Sequence, residues 1–265
     1  MLFVSYLKKI EIMKTKNIIL IAILLITIQA EVFNISAQEL TKEVPPFTKI
    51  MVGARIDLTI VDGEEYKLKA EFRDISSEKL NIQVKNNKLK LYLDDARIAE
   101  KNKTIKDGNR KRKVSIYDEN VLVKVVLTCK QLESIVVRGE QIVDCEKPIE
   151  TEQLKLKAYG EPNISFKLLK VDKLIARLYG ESQVIIENGS VNTQKYVAYG
   201  EANVFLNEVE NQSTKIRSYG ENRFQVSGNN TIRIFSLGEG EFFHGGNAVI
   251  KKRFLLGENT IAKLD

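Results

Sequence analysis

The chain has one histidine, no tryptophan, four prolines and two cysteines in 265 residues, and each scarcity removes a class of explanation. With His244 alone, a Ser-His-Asp or Cys-His constellation has only one speculative member to draw on. One histidine and two cysteines form no cluster spaced for zinc. No Gly-rich loop of the phosphate-cradling kind occurs. No window outside the first residues sustains a helical period, so alternation at period two dominates. Nothing here names a catalytic residue, a metal ligand or a cofactor site. The two cysteines, Cys129 and Cys145, would meet an oxidising compartment if the chain is exported, where a disulfide persists. The competing reading makes them buried thiols acting as small apolar residues.

The first residues have the order of a secretory signal. Lys8, Lys9, Lys14 and Lys16 precede the apolar run Ile18 to Ile28, and the small pair Ser36-Ala37 follows. That run is shorter than the ~20 residues a spanning helix needs. We therefore expect a signal peptide helix over residues 1–37, cleaved after Ala37 or after Ala30, with Met13 as a second candidate start. After cleavage no membrane span is expected. The formal net charge of the whole chain is +6. Much of the excess is local, because Lys101, Lys103, Lys106, Arg110, Lys111, Arg112 and Lys113 crowd one polar stretch, 95–113. Such a run suits either a solvated loop or contact with an anionic glycan or headgroup. It has no interleaved aromatics, and nucleic acid is not an expected partner.

What the chain has in abundance is repetition. Tyr159-Gly160-Glu161 recurs at Tyr179, Tyr199 and Tyr219, each time after twenty residues, with degenerate copies around Gly139, Gly238 and Gly257. A fixed step of this length marks one unit stacked on itself. Aligned on the glycine, apolar residues fall at even offsets: Val143, Ile164, Val184, Val204 and Phe224 four residues after it; Ile135, Leu156, Ala176, Tyr196 and Ile216 four before. Each copy then reads as two short strands with one face buried, joined by a glycine at positive φ. Stacked copies share one interior, with parallel strands about 4.8 Å apart. The expected fold is all-β, a single-stranded right-handed parallel β-helix (solenoid) with coils of about 20 residues. A β-propeller would need blades of about 40 residues. Residues 38–265 form one domain on this reading, with less regular strands over 38–130 and regular coils over 131–265.

The columns carry the candidate chemistry. Glu140, Glu161, Glu181, Glu201, Glu221, Glu239 and Glu258 line one edge, where neighbours repel by roughly 1 kcal/mol in water. Either they hold Ca²⁺, or they are a solvated stripe offset by Lys155, Lys157, Arg177, Lys195, Lys215, Arg217, Arg233 and Lys252 on the adjoining face. The tyrosine column forms either an exposed platform for sugar rings or protein, or a covered stacking ladder. Asn163, Gln183 and Asn203 are placed for an amide ladder.

Several segments resemble a known family. Phe47-Thr48-Lys49-Ile50 through Ile56-Asp57-Leu58-Thr59-Ile60 is one. The strand Leu122 to Thr128 followed by Leu132-Glu133-Ser134-Ile135 is a second. Coils such as Gly200-Glu201-Ala202-Asn203-Val204 and the closing Phe243-His244-Gly245-Gly246-Asn247 complete the set. Together they look like the putative auto-transporter adhesin head domain, or GIN domain. The resemblance covers roughly residues 47–263. It implies a β-helix exported by Gram-negative bacteria to the periplasm, the outer-membrane surface or the medium, with an adhesive role and no established enzymatic activity. It supplies no functional residue to carry over. Tyr-Gly-Glu departs from the small residues usual at the turn, so no turn-specific ligand carries over. The resulting expectation is a non-enzymatic adhesin or envelope scaffold binding surface glycan or protein. The alternatives are a polysaccharide-cleaving β-helix enzyme and a calcium-stabilised structural protein.

Overall fold

The computed structural model describes residues 38–97, 102–107, 110–115 and 121–264. The expected signal peptide lies outside them. Twenty strands lie among the described residues. The first nine are β1 (Gln38–Glu43), β2 (Lys49–Val52), β3 (Ile56–Val61), β4 (Lys67–Phe72), β5 (Leu80–Lys85), β6 (Lys88–Leu93), β7 (Asn102–Asp107), β8 (Arg110–Ser115) and β9 (Val123–Thr128). Then come β10 (Ser134–Gly139), β11 (Ile142–Cys145), β12 (Ile149–Gly160), β13 (Asn163–Gly180), β14 (Gln183–Gly200) and β15 (Asn203–Gly220). The last are β16 (Asn222–Ser227), β17 (Thr231–Leu237), β18 (Gly240–Gly245), β19 (Val249–Leu256) and β20 (Asn259–Lys263).

Equal steps in sequence become equal positions in space. Tyr159 pairs with Tyr179, Tyr179 with Tyr199 and Tyr199 with Tyr219, all in parallel register, and the glycines that follow pair likewise. The protein is an all-β solenoid of about six turns with coils of about twenty residues. At the repeated glycine the chain takes φ +97° at Gly160 and +106° at Gly180. At Gly139, Gly160, Gly180 and Gly200 the carbonyl accepts a hydrogen bond from the glutamate N–H of the next coil, as from Glu181 to Gly160 at 2.9 Å. A Cβ on Gly180 would lie 2.4 Å from that same Gly160 oxygen, so both conformation and space demand glycine.

Each coil has three sides rather than the two strands expected from sequence. In β13 the inward residues are Ile164 and Phe166, then Leu169 and Val171, then Leu174, Ala176 and Leu178, all buried. Within a side the inward step is two residues; between sides it is three. One continuous strand therefore bends twice, and each corner shifts the parity of the alternation. A buried column also runs at the residue after each glutamate: Gln141, Pro162, Ser182, Ala202 and Asn222. Gln141 and Asn222 in this column are tied down locally, whereas the Ser182 hydroxyl has no hydrogen-bond partner among the described residues. Asn222 accepts from the Ala202 N–H at 2.9 Å and donates to Ser218 Oγ at 2.8 Å.

The stack begins earlier than the regular repeats. β6, β2 and β10 are parallel neighbours, as are β9, β3 and β11. The strands of 38–130 therefore supply earlier rungs on two of the three sides. Antiparallel β1, β4 and β5 close that end, with β4 on β9, β1 on β4 and β5 on β6. Among the described residues of the basic stretch, β7 and β8 pair antiparallel in a sheet of their own, with Lys106 opposite Lys111. It is inserted between β6 and β9, where later coils carry only the Gly-Glu corner.

Cys145 packs in register with Phe166, and Cys129 is buried as well; both thiols are free. Burial raises the Cys129 thiol to about 11 and drives Cys145 further up. Both are protonated at neutral pH and behave as small apolar groups. Beside them, the ammonium of buried Lys147 donates to the Cys129 and Lys130 carbonyls at 2.5 and 2.7 Å. Nothing in the sequence pattern marks that lysine.

Candidate functional site

The third side of each coil presents its outward residues five, three and one before the glycine, and these positions superpose from coil to coil. Nearest the corner lies the tyrosine column. Tyr159, Tyr179, Tyr199 and Tyr219 stack with ring centroids 5.0, 5.4 and 4.6 Å apart and planes within 6° of parallel. The Arg138 guanidinium covers one end at 4.4 Å from the Tyr159 ring. Phe235 and Phe254 continue the other end at 5.7 and 5.5 Å. Because each ring face is taken by its neighbour, only edges and hydroxyls reach solvent. A sugar ring has no free aromatic face to stack on along the middle of the column. The arrangement is a stabilising ladder, worth about 0.5–1.5 kcal/mol per pair beyond area burial.

Beside the ladder stand two cationic columns. In the outer one, Lys155, Lys195, Lys215 and Arg233 follow each other, with Ile175 in the second place. In the inner one, Lys157 and Arg177 are followed, after Val197, by Arg217. A bulge between Ile234 and Phe235 shifts the last coil, so Lys251, not Lys252, stands on Arg233. The columns also extend in the other direction, which the repeat alone does not reveal. Lys49 and Lys88 continue the outer one and Lys90 the inner one.

The acidic column lies across the tyrosines at the corner, and all seven of its glutamates are exposed. No ion pair joins it to the cations among the described residues. The expected neutralisation by direct pairing is therefore not formed, because the tyrosine ladder stands between the two sets. Each set acts on itself. Glu181, and then Glu140, hold the Glu161 carboxyl above its usual value. Arg217 foremost, then partial desolvation and the charges of Lys195 and Arg233, hold the Lys215 ammonium below its usual value.

Other sequence candidates are placed as follows. Asn163, Gln183 and Asn203 share one register but make no side-chain hydrogen bonds to one another among the described residues. The later glutamates line a groove of about 430 Å³ that includes Glu201, Glu221, Glu239, Glu258 and Arg223. Among the described residues, no group of three or more His, Cys, Asp or Glu side chains is placed to hold a metal ion. His244 is pushed toward its neutral form by partial burial and then by Lys263. No helix among them is long and apolar enough to cross a membrane.

The fold and its laddered outer face define a class: a stacked parallel β-solenoid whose most organised feature is a continuous charged and aromatic surface. The chain belongs to the family described as putative auto-transporter adhesin, head GIN domain, which matches residues 46–248. Among solved structures, a putative adhesin from Bacteroides fragilis is 18% identical and superposes with a TM-score of 0.67 over 87% of this chain and 98% of its own. A putative adhesin from Parabacteroides distasonis is 14% identical, with a TM-score of 0.62 over 86% and 98%. A second P. distasonis protein, described as a putative lipid binding protein, is 15% identical, with a TM-score of 0.58 over 88% and 98%. At these identities the likeness speaks for the fold. No curated protein matches the chain.

Proposed function

We propose that the protein is an exported, non-enzymatic adhesin or envelope scaffold that acts by contact, presenting a flat outer face to surface glycan or protein. One observation carries this reading: outward residues of the third side stay in register from β6 to β17, and the outer cationic column on to β19, with cations that have no ion-pair partners among the described residues. A rigid β scaffold fixes such a face before any partner arrives, so little ordering entropy is lost on binding. The family and the adhesin-described relatives support the same reading. The acids follow the repeat, which is how architecture distributes them; a catalytic pair would break it.

Three measurements test the proposal, two on cells making or lacking the full chain and one on the purified protein. Retention on glycan- and protein-coated surfaces should fall when the chain is missing. Protease treatment of intact cells should degrade it if it is displayed outside. Incubation of the purified protein with polysaccharides should release no reducing sugar. Unchanged retention by cells lacking the chain contradicts the adhesin, and sustained sugar release would establish the enzyme.

A further inference from the structure

The two cationic columns hold a more specific message than general stickiness. Following the register from β6 through β2, β10, β12, β13, β14, β15 and β17 to β19, seven positions of the outer column and four of the inner one are Lys or Arg. The remaining positions are Ser, Met, Val, Ile and Phe; neither column holds an Asp or Glu. A face of one charge sign, repeated for nine strands with no carboxylate among it, is costly in the free protein. The depressed Lys215 ammonium registers that cost locally. The acids that could relieve it are held apart behind the tyrosine ladder.

From this arrangement the geometry points to a linear acidic polysaccharide, bearing carboxylate or sulfate groups, lying along the solenoid axis on these columns. The assignment rests on the contact reading above and names its ligand class. Cations recur along the axis every one or two coils, at about 4.8 Å per coil. A chain with an anion on every sugar or every second sugar meets that recurrence without bending. The columns stand two residues apart along the strand, about 6.6 Å, so a single extended chain fits between them and touches both. A compact anion would use only one or two of these cations. A folded acidic protein would need matching flatness over the whole length. The apolar members, such as Ile175 and Val197, leave gaps where sugar carbons rest against the sheet.

Binding of the purified mature chain to dextran sulfate and to polygalacturonate tests this, with uncharged dextran as the control. Both polyanions should bind and dextran should not. Raising salt from 50 to 200 mM should weaken binding at least about tenfold, as release of counterions from several contacts requires. Replacing Lys195, Lys215 and Arg217 together by Glu should weaken it at least about tenfold. Replacing Lys42, Lys167 and Lys263 by Glu, the same net change elsewhere, should leave it within about twofold. The face triple should melt no lower than the parent, since it relieves repulsion; if it does not fold, the Gln versions of the same three positions carry the test. Equal losses for the two triples, equal binding of uncharged dextran, or preference for phosphatidylglycerol vesicles over both polyanions would overturn the assignment. If cell retention depends on the chain but survives the face triple, the adhesin stands and this ligand falls. If retention never depended on the chain, the contact reading falls, whatever dextran sulfate does.

Discussion

Gly180→Ala is the sharpest perturbation the coil geometry allows. Alanine at φ +106° is forced into a region that side chains avoid, at a cost of about 1–3 kcal/mol. Its Cβ would stand 2.4 Å from the Gly160 carbonyl oxygen, which is backbone hydrogen-bonded to the Glu181 N–H and cannot swing aside freely. Opening the rungs to fit it adds about 1–3 kcal/mol, the usual cost of overpacking. Against this, alanine restricts the unfolded chain and regains only about 0.4–1 kcal/mol. The folded-state terms win, leaving a net loss of about 3 kcal/mol. In a domain of this size that lowers the melting temperature by about 6–12 °C. The control is Gly245→Ala, whose Cβ would meet only Ser227 Cβ, at 3.9 Å. Thermal melts followed by circular dichroism should separate the two clearly. If Gly180→Ala melts with the parent, or Gly245→Ala falls as far, the close stacking of glycine on glycine is wrong.

Four further outcomes follow from the same geometry. Leu206→Asp places a carboxylate where the parent side chain is 3% exposed, and no soluble folded protein should be recovered on expression. Tyr199→Ser removes two stacks and should cost about 1–3 kcal/mol in a urea titration while leaving the β spectrum unchanged. Because Glu161 holds its proton more tightly folded than unfolded, the acidic column weakens the fold as pH rises through the carboxylate range. Stability from this source should therefore grow as pH falls toward the ordinary glutamate value, and Glu181→Gln should flatten that slope in melts at different pH values. Millimolar Ca²⁺ should shift the melting temperature by less than about 1 °C, since each corner offers a single carboxylate where calcium takes 6–8 oxygens; a rise of several degrees would favour the calcium-stabilised reading.

The parts of this protein that were legible in sequence are those where one coil repeats the next without loss. The Tyr-Gly-Glu corner, the inward residues on either side of it and the buried Cys145 could be read because like residues recur at a fixed step. The middle side was hidden because its columns mix sizes: Leu169, Gly189 and Val209 share one position, and Val171, Val191 and Asn211 another. The parity shift at each corner also breaks the alternation that betrays a strand. Gln141 and Asn222 were unreadable as interior residues because only their hydrogen bonds, to the Gly53 and Arg138 carbonyls and to Ser218, make burial tolerable. The cationic face was half visible. Its later rungs follow the repeat, whereas Lys49, Lys88 and Lys90 join it through strands that are neighbours in space but not in order.

Register between coils can be read directly by cross-linking. In a background lacking Cys129 and Cys145, Arg177→Cys combined with Val197→Cys places two thiols on directly paired residues of β13 and β14. A disulfide needs Cα atoms within about 7 Å, and neighbouring strands stand about 4.8 Å apart. Mild oxidation should therefore close this bond within one chain, seen as a joined peptide by mass spectrometry. Arg177→Cys with Arg217→Cys, two rungs apart at about 9.6 Å, should stay reduced. A closed 177–217 bond beside an open 177–197 pair would contradict the in-register stack.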